Sequence, residues 1–410
     1  MARALFFGLP VHGHTNPTLS LVRELVARGE EVTYLSTPAF ATAIAATGAT
    51  FRPYRNAFLV DLGAIARRMD ELAWLLMRTT SEVLAEQLDD FRALRPDYVI
   101  TDSVAPWGQW VGQLLAVPVV TSVTTFAFNK HVLGYGRDHG VRPRNSRVLL
   151  SKIRHIARAL WLRRRLQRRH RVDGPSIMAT IAGHSDLTIV YTSRALQPCG
   201  ETFDSRYRFV GPILGHREER QDFPWDMLDE APLVYVSLGT LFSANPAFYR
   251  ACFAAFADLD AQVVLSIGRS LSAADLGAPP ANVRVFSHVP QLDLLPRCRV
   301  FVTHGGMNSA SESLWFGVPM VVVPQMGEQE IVGRRVEELG AAIVIRPEEA
   351  DAGALRAAVV DLLGSDTHRR RAQAIGTELR NAGGAAAAAD AILAFTRPKA
   401  EVRPGSRPTP

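Results

Sequence analysis

Cysteine is scarce in this chain, with only Cys199, Cys252 and Cys298 among 410 residues. An odd, widely spaced set supplies neither a disulfide framework nor a metal-ligand cluster, so a stapled secreted scaffold and a zinc module are both excluded. Long apolar runs are missing too: the longest are strand-length, short of the roughly 18 residues that mark a spanning helix. From Met1 the chain passes into a strand pattern without the basic region, apolar core and cleavage site of an export signal, so a reducing cytoplasm is the expected compartment. The G-x-G-x-x-G fingerprint and the Walker loop are absent as well, which removes the usual dinucleotide and P-loop signatures.

What is present is an ordinary globular composition, 47% apolar and 21% charged, which rules out wholesale disorder and fibrous structure. The length argues for two domains. The net charge of +6 is unevenly placed: residues 137–171 carry 13 Lys and Arg against the single acid Asp138, leaving a net of −6 elsewhere. Within that segment Leu149, Ile153, Ile156 and Leu160 recur at i, i+4, i+7 and i+11, the spacing of an amphipathic helix. A solvated helix face explains this pattern, and so does attraction to an anionic substrate or to a membrane surface. Nucleic acid fits least, because no recognised motif or interleaved aromatics accompany the charge.

Strand-like and helix-like runs alternate almost throughout, which predicts parallel sheets covered by helices. Strands are expected at residues 4–9, 31–36, 98–101, 117–123 and 187–191. Helical patterns fall between them, including residues 39–47 and 64–92. The pattern breaks after Val210-Gly211-Pro212 into a polar stretch at 216–222, read as the linker. A second series follows, with strands at 233–237, 262–267, 283–286, 300–303, 320–324 and 342–345, and helices at 248–256, 309–316 and 385–395. The expected organisation is an N-terminal domain over 1–210, a linker over 211–224, a C-terminal domain over 225–395 and a disordered, proline-bearing tail over 396–410. Two Rossmann-like α/β domains would face each other across a cleft.

The strongest local signal is Thr303-His304-Gly305-Gly306-Met307-Asn308-Ser309, followed by Glu312. An apolar strand enters a glycine turn that opens a helix, and free N–H groups at such a helix start favour anions. Gly305 and Gly306 let a diphosphate approach the backbone closely; an ordinary capped strand–turn–helix would read the same way locally. His288-Val289-Pro290-Gln291, Gly317-Val318-Pro319 and Gln325-Met326-Gly327-Glu328-Gln329 converge on the same region, as does Ser237-Leu238-Gly239-Thr240. Glu328 and Gln329 follow a strand's C-terminal end, where open α/β sheets bind ligands. A carboxylate beside an amide suits vicinal sugar hydroxyls.

In the first half, His14 lies in the turn after the first strand, ahead of a helix that Thr15 or Asn16 could cap. Asp102 ends another strand at the same sheet edge. A carboxylate accepting from an imidazole N–H orients the ring and stabilises the imidazolium formed when it takes a proton. By chemistry alone His12 is an equal candidate.

These residues together are recognisable. His288 through Gln329 resembles the donor-binding signature of the family-one glycosyltransferases, GT-B-fold enzymes that use UDP-sugars. His12-Gly13-His14-Thr15-Asn16-Pro17, Asp102 and Ser237-Leu238-Gly239-Thr240 look like the matching elements of the bacterial branch that glycosylates macrolides. The resemblance spans most of residues 1–395. It implies that His14 is the base that deprotonates an acceptor hydroxyl and that Asp102 is its partner. Thr240, His304, Asn308 and Ser309 would hold the diphosphate beside Gly305 and Gly306, Glu312 the ribose, and Glu328 and Gln329 the transferred sugar. The uracil would lie against Gln291 and His288. Two departures are visible: many members carry Trp where His288 stands and Asp where Glu328 stands, which opens the donor to thymine and to other sugars.

The expected activity is therefore inverting, metal-independent O-glycosyl transfer from a UDP-sugar, glucose first, to a small hydrophobic acceptor such as a macrolide, polyketide or phenol. No cofactor beyond the sugar donor is expected. The acceptor would meet residues 58–80, Phe126, Phe128 and the basic segment. The alternatives are a dTDP-deoxysugar transferase, a nucleotide-sugar epimerase, a non-catalytic nucleotide-sugar binder, and an enzyme docked on a membrane through residues 137–171.

Overall fold

The computed structural model describes residues 1–55, 71–138, 147–176, 185–215, 223–239 and 245–397. The expected linker stretch 216–222, most of the tail and part of the 58–80 region lie outside the described residues. Among the described residues, no helix is long and apolar enough to cross a membrane.

Two parallel sheets dominate. The first comprises β1 (Arg3–Phe7), β2 (Glu31–Ser36), β3 (Thr50–Pro53), β4 (Tyr98–Asp102), β5 (Val119–Val123), β6 (Leu187–Val190) and β7 (Tyr207–Phe209), in the order β3-β2-β1-β4-β5-β6-β7. The second comprises β8 (Leu233–Ser237), β9 (Gln262–Ser266), β10 (Val283–Phe286), β11 (Cys298–Thr303), β12 (Met320–Val322) and β13 (Ala342–Val344), in the order β10-β9-β8-β11-β12-β13. Both contain the doubly wound order, with the topological switch between β1 and β4 in one sheet and between β8 and β11 in the other. The central strands β4 and β8 are buried at every position, because helices cover both sheet faces. This is why their apolar runs are continuous and legible in the sequence.

Two strands were not expected, β3 and β7. Both are short edge strands, and β3 is polar and ends in Pro53, whose missing N–H is tolerated only where a ladder has no further partner. Without a buried face on both sides they lack the apolar run that marks the inner strands.

The last helix, Gly384–Thr396, corrects the expected domain boundary. Chain order assigned it to the second domain, yet Ala388, Ala389, Ile392 and Leu393 are buried with Leu21, Val22 and Leu25 of the His12–Ala27 helix and with Phe6 and Ile100 of the first sheet. Arg28 bonds to Asp390 and to the Ala386 carbonyl, and Gly384 N donates to the Val210 carbonyl at 2.7 Å. The chain thus returns to the first domain at its end. Ile392 is 0% exposed, so Ile392→Ala is expected to cost about 2–5 kcal/mol in urea unfolding. A loss below about 0.5 kcal/mol, the scale of a surface substitution, would place the helix outside that core.

Candidate active site

The His12–Ala27 helix opens directly behind β1 without a side-chain cap. Thr15 and Asn16 are therefore inside the helix rather than capping it; Thr15 Oγ1 donates back to the Leu9 carbonyl at 3.1 Å. Carried on the first turn, His14 Nδ1 lies 2.8 Å from Asp102 Oδ2 at the end of β4. These are the two strand ends flanking the first sheet's switch point. Asp102 is 2% exposed, and its Oδ1 accepts from Val104 N at 2.8 Å, so the carboxylate is locked in place. A carboxylate only accepts, so Nδ1 carries the proton and Nε2 is the basic nitrogen.

The two histidines have different surroundings. His12 is exposed and packs edge-on against Phe40, with ring centroids 5.0 Å apart, whereas His14 holds the carboxylate. Thr124 Oγ1 lies 3.1 Å from the same Nδ1. Sequence reasoning missed it, although its place one residue past β5 at the same sheet edge was a signal. Burial by itself lowers the His14 pKa; the Asp102 charge and hydrogen bond, with help from the charge of Glu328, outweigh it and hold the imidazole above its ordinary 6.5. Glu328 belongs to the second domain, and burial raises its carboxyl pKa against the opposing pull of His14.

In the second domain His304 follows β11. Its ring sits between Gly239 and Gly306: a Cβ on Gly239 would lie 2.6 Å from His304 Cε1, and one on Gly306 2.5 Å from Nε2. Burial pushes the His304 pKa down to about 4, against a hydrogen bond that the ring donates to the Ser237 backbone carbonyl. The ring is neutral at pH 7 and offers a hydrogen bond, not a charge. Gly305 adopts φ +77°, and a Cβ there would press 2.6 Å from Val322 Cγ1. The Met307–Trp315 helix then starts with no side-chain cap and no acid in its first turn. Asn308 and Ser309 lie in that turn, beside backbone donors that suit an anion.

Gln291 and Glu312, which sequence reasoning placed on one nucleoside, touch: Gln291 Nε2 donates to Glu312 Oε2 at 2.6 Å, and Tyr235 Oη donates to Gln291 Oε1 at 3.3 Å. Gln329 is buried, and its Oε1 accepts from Gln325 N at 2.8 Å, bracing the turn that presents Glu328. His288 is half-buried just past β10. Thr240 lies outside the described residues. The acceptor assignments divide. Phe126 is 1% exposed and joins Leu196 in the apolar cluster of the second domain, so it is an interface core residue and not an acceptor surface. Phe128 is only partly buried against the same cluster. Among the described residues, no group of three or more His, Cys, Asp or Glu could hold a metal ion.

A side-chain hydrogen bond joins the halves at the cleft. Pro17 has no N–H and leaves the Gly13 carbonyl, four residues back, without its helical donor. Asn308 Nδ2 fills that vacancy at 3.1 Å.

Two comparisons give this geometry a family. Residues 250–389 match the family described as erythromycin biosynthesis protein CIII-like, C-terminal domain. An uncharacterised UDP-glucosyltransferase of Bacillus subtilis is 33% identical over 98% of this chain and 99% of its own length. The chain belongs to the family-one glycosyltransferases, in the macrolide branch. An oleandomycin glycosyltransferase of Streptomyces antibioticus is 32% identical over 96% of this chain and 90% of its own. A solved calicheamicin glycosyltransferase superposes with a TM-score of 0.79 at 30% identity, covering 98% of this chain and 100% of that one. The fold of this glycosyltransferase is GT-B, as the resemblance implied.

The His14 pair is directly testable. NMR titration of the ring is expected to give a pKa above 6.5, and Asp102→Asn, which removes the charge, is expected to lower it. An unmoved midpoint would mean that the pair does not hold the proton.

Proposed function

We propose that this glycosyltransferase is an inverting O-glycosyltransferase that moves glucose from UDP-glucose to a hydroxyl of a small hydrophobic natural product. The observation that carries the reading is the His14–Asp102 hydrogen bond, set at one switch point and facing Glu328 of the other domain. His14 Nε2 removes the acceptor proton while the oxygen attacks the anomeric carbon. The C–O bond to the diphosphate breaks on the opposite face, and the proton stays on the ring, where Asp102 stabilises the charge. Charge growing on the leaving diphosphate meets the uncapped start of the Met307–Trp315 helix with the His304, Asn308 and Ser309 donors, so no metal is required. Gln291 and Glu312 take the base and ribose; Glu328, with Gln329 bracing its turn, takes the sugar.

Glucose is preferred because similar proteins include a UDP-glucosyltransferase at 33% identity. A dTDP-deoxysugar is the second reading. It is favoured by His288 in place of Trp and by the similarity, at 35% identity over 98% of this chain and 88% of its own, of a demethyllactenocin mycarosyltransferase of Streptomyces fradiae.

Mass spectrometry of reactions with UDP-glucose and a panel of phenols and macrolides is expected to show a hexose-sized gain. His14→Ala is expected to reduce it by about 10²–10⁴. A gain that survives His14→Ala would remove the base assignment, and a gain only with dTDP-sugars would select the second reading. The acid limb supplies a further check. The base works neutral, so kcat/KM should fall as pH drops through the raised His14 pKa, and in Asp102→Asn the residual activity should keep its acid limb at lower pH.

A further inference from the structure

Residues 147–170 form one long helix without a single acidic residue. Its inner side is seated firmly: Ala159, Leu162 and Leu166 are buried in the core that also holds Leu76, Leu84 and Leu88 of the Leu72–Ala93 helix. Arg163 belongs to this inner side as well, donating to the carbonyls of Asp173, Gly174 and Pro175. The outer side is therefore presented by a rigid support.

That outer side has two components. Arg154, Arg158, Arg164, Arg165, Arg168 and Arg169 are exposed, and none of them enters an ion pair among the described residues. Among them stand Ile156, Leu160 and Trp161, which are 44%, 40% and 58% exposed. Three of the six large apolar side chains exposed among the described residues thus fall within six consecutive positions. Ile156 and Leu160 are one helical turn apart, as are Ala157 and Trp161, so these four make a contiguous apolar ridge. Arg165 leans over the Trp161 ring, 5.7 Å from its centroid.

We propose that this face docks the enzyme on an anionic lipid bilayer. A ridge of Ile, Leu and Trp flanked by arginines is the chemistry of a helix lying in the headgroup region: apolar side chains enter the acyl boundary, Trp takes the interface, and arginines reach lipid phosphates. Nucleic acid would satisfy the arginines but leave the ridge in water. A second copy of the chain, meeting this face about a two-fold axis, would set arginine against arginine. Because the rest of the chain is net negative, only this helix draws the protein toward an anionic surface.

The test is co-sedimentation of the full chain with vesicles of phosphatidylcholine alone and of phosphatidylcholine mixed with phosphatidylglycerol. Binding is expected only to the mixed vesicles and is expected to collapse between about 0.1 M and about 0.5 M salt. Each exposed arginine is expected to contribute about fivefold to partitioning, so converting Arg164, Arg165, Arg168 and Arg169 to Gln should remove binding. Trp161→Ser, which leaves the charge intact and touches no buried position, should weaken it about tenfold. Equal binding to neutral vesicles, or retention of full binding in Trp161→Ser, would overturn the proposal. So would displacement from vesicles by duplex RNA that Trp161→Ser binds as tightly as the parent. Should the four-site variant fail to unfold at the parent temperature, Trp161→Ser and the salt dependence still decide the outcome.

Discussion

The cleft of this enzyme depends on one hydrogen bond, between His14 Nδ1 and Asp102 Oδ2. An imidazole held in a buried cleft tends to lose its proton, because burial penalises the charged form. Here the pair reverses that tendency, and the ring ends up more basic than in water. Neither residue achieves this alone. Asp102 fixes which nitrogen is basic and compensates the charge, while Val104 N fixes Asp102. Asp102 ends β4 and His14 opens the helix that follows β1, and the parallel sheet sets those two strands side by side.

The second domain solves a different problem, which is to offer many donors without a fixed positive charge. His304 is kept neutral by burial. Gly239 and Gly306 leave room for its ring, and Gly305 takes the left-handed turn that frees the start of the next helix. The result is a set of preorganised donors, which act on developing charge without having to reorient.

The two halves are joined lightly at the cleft and firmly elsewhere. Asn308 reaches the Gly13 carbonyl only because Pro17 has vacated it, and a neutral hydrogen bond of this kind contributes about 1 kcal/mol. Away from the cleft, Phe126 and Leu196 are buried among residues of the second core, Arg335 donates to the carbonyls of Ala195 and Leu196, and the last helix returns to the first core.

The architecture was legible in the sequence because each inner strand is buried on both faces and each turn between strand and helix needs glycine or a polar residue. Those are local demands, and they leave local patterns at Val300-Phe301-Val302-Thr303, at Gly305-Gly306 and at the end of β4. Apart from Thr240, the expected donor-side residues lie between His288 and Gln329, so their grouping was visible too. Tertiary structure decided what depends on residues far apart in the chain. It set His14, and not His12, against an aspartate 88 positions away, brought Thr124 to the same ring, buried Phe126 in the interface core, and returned the last helix to the first domain. It also divided the basic helix into an inner face, which holds Arg163, and an outer face that carries Trp161. Periodicity shows that a helix has two sides, but only packing determines which side is covered.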